Sequence, residues 1–352
     1  VHIKEAAKKA LDDGYTKYTP VNGLLELRQA IVNKLAREND LHYTVNQIVV
    51  SNGAKQSVYN LCMALLDPGD EVILPAPYWV SYAEIVKMAG GVPVIANSSI
   101  EQDFKSTPEE IEALITDRTK FILYSSPCNP SGSVFSFEEL QALALMLQAH
   151  EHVLVVSDEI YEHINFTDRH YTIASMEGMK DRTVIINGMS KGYAMTGWRL
   201  GYIAGPDWIA DACTKIQGQV TSGASSFGQK AAAVALESDH TPTKEMVKAF
   251  HQRRDLIINL LEQIPLLLVN RPQGAFYIFP DVSAYFGRTS TGGYHVKDAD
   301  DMSLYLLAEA RVSTVSGVAF GNEKCIRLSY ATSDEKLKDA AERIRKALSI
   351  LI

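Results

Sequence analysis

The residues of this chain that could do chemistry begin with a lysine, a serine and an arginine on one glycine-rich turn. Ser190-Lys191-Gly192 follows closely on an apolar, β-branched run at 183–186, and Arg199 stands further along, flanked by Gly197, Trp198 and Gly201. An ammonium at the end of a buried strand is costly unless it is neutralised or used covalently. For an isolated Ser-Lys pair the generic expectation is a solvated loop lysine. A hydroxyl, a guanidinium and an amine on one turn can do more: the first two hold a phosphate and leave the amine free for a carbonyl. A second candidate is Asp158, at the carboxyl end of the apolar run 153–156, where open α/β sheets place ligand groups. A capping carboxylate is the plain alternative there.

These side chains need elements to position them. Residues 47–50 read as a strand that delivers Ser51-Asn52-Gly53-Ala54-Lys55 into a helix. The first N–H groups of a helix lack partners and its dipole favours negative charge, so this turn can take an anion, although a structural turn is the default for Gly-Ala-Lys. Further strands are expected at 71–74, after the turn Leu66-Asp67-Pro68-Gly69-Asp70, and at 121–124, running into Ser126-Pro127-Cys128-Asn129-Pro130-Ser131-Gly132. Helical spacing of apolar residues predicts helices at 3–11, 24–35 and 137–148. Strand and helix alternate to about residue 240, the pattern of a mostly parallel sheet covered on both faces. A long, charged helix over 243–263 reads as a connector, followed by a strand-rich C-terminal unit from Gln273 and an exposed loop at 287–300.

Composition narrows the partners. A 352-residue chain with 46% hydrophobic residues can bury one large core or two unequal ones. Its net charge of -8, with Lys and Arg scattered, offers no basic field for nucleic acid, so a small molecule is the expected partner. Cys62, Cys128, Cys213 and Cys325 lie far apart without metal-ligand spacing, which reads as reduced thiols and no metal site. No apolar stretch approaches a membrane span and Val1-His2-Ile3-Lys4 opens no signal-peptide core, so the expected compartment is the cytoplasm.

The run Ser190-Lys191-Gly192-Tyr193-Ala194-Met195-Thr196-Gly197-Trp198-Arg199 resembles the cofactor-lysine segment of class I aminotransferases of the aspartate aminotransferase family, pyridoxal phosphate (PLP) enzymes of fold type I. Gly192 stands where alanine is usual. The resemblance runs over nearly the whole chain, through the Gly53-Ala54-Lys55 turn, Tyr78-Trp79, Asn129-Pro130-Ser131-Gly132 with serine for the usual threonine, Asp158-Glu159-Ile160-Tyr161, and Arg327 within Ile326-Arg327-Leu328-Ser329. It implies an α/β fold: a large PLP-binding domain at 1–255 with a mostly parallel seven-stranded sheet, and a smaller α+β C-terminal domain at 256–352.

The resemblance also implies roles. Lys191 would join the cofactor's aldehyde and then act as general base, with Asp158 against the pyridine nitrogen and Tyr161 and Asn129 bonded to the phenolic oxygen. Trp79 would lie flat on the ring and border the substrate. Gly53, Ala54, Lys55, Ser190 and Arg199 would surround the phosphate, joined by Tyr18 from the other subunit of a homodimer. Arg327 would clamp the substrate α-carboxylate with two parallel N–H donors, near Asn129, and Lys55 would lie toward a distal carboxylate. An N-terminal segment that in the family folds over the site entrance has no match in this sequence.

The activity implied is ping-pong transfer of an amino group, with aspartate as expected donor and 2-oxoglutarate as acceptor. Aromatic amino acids, alanine or prephenate remain open as substrates, as does a PLP lyase reaction. A PLP-binding regulatory protein without catalysis is the reading from another class. A Rossmann-type nucleotide binder fits less well, since no G-x-G-x-x-G opens a first βαβ unit.

Overall fold

The computed structural model describes residues 1–352. Seven strands, β1 (Ile48–Ser51), β2 (Glu71–Pro75), β3 (Val92–Ala96), β4 (Thr119–Ser125), β5 (Leu154–Asp158), β6 (Thr183–Gly188) and β7 (Gly201–Ala204), form one sheet in the order β1-β7-β6-β5-β4-β2-β3. Only β7 runs against its neighbours, pairing antiparallel with both β6 and β1; the remaining pairs are parallel. The expected mostly parallel seven-stranded sheet is therefore present. Because β7 reverses, β1 ends at the same edge as β2, β4, β5 and β6.

Helices α1 (His2–Asp12), α2 (Leu25–Asn39), α3 (Ala54–Leu65), α4 (Ser81–Met88), α5 (Pro108–Glu112), α6 (Phe137–Leu147), α7 (Asp207–Val220) and α8 (Ser226–Glu237) surround this sheet. Alternation along the strands decides which helix covers which face. Ile48, Val50 and Ile185 pack with Leu27, Ile31 and Leu35 of α2 and Leu236 of α8, while Val49, Val184 and Ile186 face Val58 and Leu61 of α3 and Ile209 of α7. Each such aliphatic side chain taken fully out of water contributes about 1.5–3 kcal/mol.

One polar cluster interrupts this core. Lys34 of α2 is fully buried and donates to Asn39 Oδ1 at 2.8 Å and to Glu162, which also accepts from Asn187 Nδ2 at 2.8 Å. Burial pushes the Glu162 carboxyl up, but Lys34, His163 and His170 around it outweigh that and hold it well below the usual carboxylate range. The network ties the turn after β5 to the end of β6, the two segments that carry Asp158 and Lys191.

The long helix α9 (Thr241–Leu261) leads to a second core, formed with β8 (Tyr277–Ile278), α10 (Ala299–Tyr305), β10 (Ile326–Ser329) and α11 (Asp334–Ser349), while β9 (Val315–Ser316) pairs with β10 outside it. This C-terminal unit is less strand-rich than expected. Its sheet, ordered β8-β10-β9, has strands of two, four and two residues, whereas α11 alone has 16. The apolar run after Gln273 turns at Ala275, where φ is +56, and exchanges backbone bonds with several segments, as in Ala275 N to Ile164 O and Tyr330 N to Phe276 O, so no long ladder forms. The expected loop at 287–300 is also partly structured. Thr289 bridges to His295 and Ser290 to Leu351, and α10 begins at Ala299. No helix is long and apolar enough to cross a membrane.

Candidate active site

The carboxyl ends of β1, β4, β5 and β6 open into one cavity of about 340 Å3. Ala54 and Lys55 at the start of α3, Trp79 after β2, Asn129 after β4, Asp158 and Tyr161 at the end of β5, and Ser190, Lys191 and Arg199 between β6 and β7 all line it, together with Arg327 from β10. Ten residues proposed from sequence thus meet at one place. Gly53 does not line the cavity itself but precedes Ala54 and lies against the Arg199 guanidinium, and Tyr18 does not join the cavity: its side chain is 95% exposed on another face, beside a groove with Lys17 and Phe227.

At one end the cavity collects donors for an anion. Gly53 caps α3 with φ +85, no side chain bonds to that helix start, and a Cβ at this position would run into the Arg199 guanidinium. A residue other than glycine would be strained there and would also displace the arginine. Arg199 itself has φ +55, a left-handed conformation that costs a non-glycine residue about 1–2 kcal/mol. Its side chain reaches the helix start, where Nη2 donates to Asn52 O at 3.5 Å, while Nη1 donates to Thr196 O of its own turn at 2.9 Å. With the buried Ser190 alongside, helix N–H groups, a hydroxyl and a guanidinium converge as a phosphate requires.

In the middle stand the amine and the carboxylate. The Lys191 Nζ lies 5.3 Å from the Tyr161 ring centroid and 5.5 Å from that of Phe276. Burial lowers its pKa, with Arg327 and Arg199 adding to the effect and Asp158 opposing it. A larger neutral fraction makes the amine a better nucleophile and base. Asp158 is fully enclosed, and burial raises its pKa to about 6 against the pull of two donors, the Tyr82 hydroxyl at 2.6 Å and the Ile160 N–H at 3.2 Å.

At the other end lies a second cation site. Arg327 Nη1 donates to Asn129 Oδ1 at 2.8 Å, and its guanidinium is 4.5 Å from the Tyr277 ring and 4.9 Å from that of Phe320. Asn129 is held from below, because Gly132 of the same turn accepts from the N–H groups of Gln273 and Gly274 at 2.8 and 2.9 Å. That approach leaves no room for a Cβ at Gly132, which would meet Pro272 and the Gly274 carbonyl. Lys55 Nζ lies 4.8 Å from the Trp79 ring, so a third cation borders the opening.

Sequence reasoning missed Tyr82, Tyr277, Ser125, Thr196 and Ile160, all on the cavity wall. Tyr82 had a detectable signal: it follows Trp79 by three positions at a helix start, and the two rings meet edge-on at 5.4 Å. For Tyr277 no local pattern exists. Its hydroxyl lies 3.1 Å from that of Tyr161, more than a hundred residues away in the chain.

Comparison with known proteins follows the same lines. The family described as aminotransferase class I and II matches residues 1–344. Over 350 residues the chain is 47% identical to the bifunctional aspartate aminotransferase and glutamate/aspartate-prephenate aminotransferase of Petunia hybrida, covering 98% of this chain and 73% of that protein. It is 46% identical to the aspartate/prephenate aminotransferase of Cereibacter sphaeroides, covering 98% and 86% of the two chains. The crystal structure of the aspartate aminotransferase from Rhizobium meliloti superposes with a TM-score of 0.97 at 44% identity, covering 100% of this chain and 88% of that one.

Proposed function

Because this chain belongs to the class I and II aminotransferases, PLP-dependent enzymes that transfer amino groups between amino acids and 2-oxo acids, we propose that it moves the amino group of aspartate to 2-oxoglutarate. The observation that carries this reading is the joint placement of Lys191, Asp158 and Arg327 around one cavity.

The residues present fit PLP. A cavity of about 340 Å3 is within the range for small cofactors. The α3 start at Gly53, Ala54 and Lys55, with Ser190 and Arg199, would hold the phosphate dianion; Trp79 would lie against the ring, and Tyr161 and Asn129 would bond to its oxygen. PLP, when bound, supplies a carbonyl for an amine and a ring that accepts electrons.

The protein's own groups do the rest. Asp158, ionised above about pH 6, holds a proton at the ring nitrogen by opposing charge. Arg327 binds the α-carboxylate of the amino acid and so fixes its Cα beside Lys191. The Lys191 amine, less basic than an exposed lysine, would take the proton from Cα and return it to the former aldehyde carbon of PLP, on the far side of the amino nitrogen. Water would then supply the oxygen of the oxo acid while the amino nitrogen stays with the cofactor, and because that oxo acid leaves before the second one enters against the same Arg327, the kinetics are ping-pong. Lys55 beside Trp79 supports a substrate with a second carboxylate.

Prephenate is the alternative substrate, favoured by its appearance in the names of both relatives and by its own two carboxylates. A homodimer would bring Tyr18 of the partner subunit to the phosphate, which accounts for so exposed an aromatic. The four buried free cysteines support a reducing compartment such as the cytoplasm.

The test is the visible absorption of the purified protein loaded with PLP. Aspartate should bleach the band and 2-oxoglutarate should restore it, with oxaloacetate and glutamate as products. An unresponsive band, or a product that has lost part of its carbon skeleton, refutes the reading; a band bleached by aspartate and restored by prephenate but not by 2-oxoglutarate selects the alternative.

A further inference from the structure

We propose that Tyr277 is a positioning residue for the reaction, whose hydroxyl donates to Tyr161 and so strengthens the bond that Tyr161 gives to the oxygen of the cofactor ring. The proposal rests on the functional reading above and adds a residue of the C-terminal unit to the ring chemistry.

Tyr277 lies on β8, opposite Ser329 of β10, two residues beyond Arg327. It is 8% exposed and Tyr161 is 4% exposed, their rings meet edge-on at 6.0 Å, and their hydroxyl oxygens are 3.1 Å apart. Either oxygen could donate in this pair, but a phenol has one proton. Once Tyr161 gives its proton to a ligand, Tyr277 must be the donor, and the hydrogen bonds run in one direction: Tyr277 to Tyr161 to ring oxygen. Bonds in such a chain polarise one another, so the second is stronger than it would be alone.

The surroundings favour that direction. The Arg327 guanidinium over the Tyr277 ring draws electrons from it and makes its hydroxyl a better donor. Around Tyr161 stand Lys191 over its ring, Asp158 from β5 and Arg327 from β10. Burial first, and then the Asp158 charge, raise the Tyr161 pKa well above its ordinary value, and Arg327 opposes them without reversing the result. Tyr161 therefore keeps its proton and is available as a donor throughout the working pH range.

The experiment uses holoenzyme and reads the pH midpoint of the change in its visible band. A strong donor to the ring oxygen stabilises the more negative, high-pH form and lowers that midpoint. Tyr277→Phe keeps the ring and its packing but removes the donor, so the midpoint should rise by about 0.5. Placing 3-fluorotyrosine at position 277, a stronger acid of nearly the same shape, should lower it; this arm carries the test if the phenylalanine variant fails to fold. Identical midpoints, or shifts of the same sign for both replacements, overturn the inference, since a purely packing role cannot give opposite signs. A wild type that shows no PLP band overturns the functional reading itself, before any variant is compared.

Discussion

Replacing Tyr82 by phenylalanine should make cofactor binding sensitive to mild acid. Tyr82 is 1% exposed, its hydroxyl gives a 2.6 Å hydrogen bond to Asp158 Oδ2, and its ring packs edge-on against Trp79, a contact that phenylalanine keeps. The bond is made to the ionised carboxylate, so it favours the charged form, and losing it raises the Asp158 pKa. A hydrogen bond to a charged group contributes about 1.5–3 kcal/mol, and about 1.4 kcal/mol is one pKa unit, so the lower figure moves Asp158 from about 6 to about 7. At pH 6 the ionised fraction then falls from about one half to about one tenth, whereas at pH 8 it stays above about nine tenths. Binding of a protonated pyridine needs the carboxylate. The variant should therefore bind about five-fold more weakly than wild type at pH 6 and nearly equally at pH 8. The assay is titration of apoprotein with pyridoxamine phosphate, which cannot join Lys191; taking the ratio of the two proteins at each pH cancels the ligand's own ionisations. A ratio that is the same at both pH values would show that Tyr82 does not govern the charge on Asp158.

Other expected outcomes follow from the same geometry. Lys191→Ala should lose turnover yet still bind PLP, since the donors at Gly53–Ala54, Ser190 and Arg199 remain; equilibrium binding beside a transaminase assay separates the two. Arg327→Ala removes the carboxylate clamp and leaves Asn129 without its 2.8 Å donor, so kcat/KM for aspartate should fall by about 30-fold or more, equivalent to about 2 kcal/mol. An unchanged value would take Arg327 out of the substrate site. Lys34→Met strands the Glu162 carboxylate in the core and should cost about 3–5 kcal/mol in urea unfolding at pH 7. Glu162 has a depressed folded pKa, so in wild type its contribution is present above the unfolded value and lost as pH falls through the folded one. In the variant Glu162 can take up a proton, and the deficit should shrink as pH is lowered from 7 toward 5; a deficit independent of pH would assign the loss to packing.

Much of this site can be read from short stretches of sequence, because local rules govern them. Apolar β-branched runs mark β5 and β6, and the polar residues that close each run fall at the same edge once the strands pair. Alternation along β1 and β6 already implies helices on both faces. The Lys191 turn is legible by residue type and spacing within about ten residues, whereas the Gly53 and Asn129 turns read locally as plain turns and gain their roles only through resemblance to the family.

What only the tertiary structure decided is which distant side chains meet. Arg327 and Asn129 are 198 positions apart, and Tyr82 and Asp158 are 76 apart. No local pattern encodes either bond. The left-handed Arg199, the buried Lys34–Glu162 pair and the short strands of the C-terminal unit are equally invisible, because each is a local cost or irregularity that only surrounding contacts make stable. Chain-local chemistry names the reacting groups; packing across the whole molecule determines which of them are desolvated, how their pKa values move and which neighbour holds each one in place.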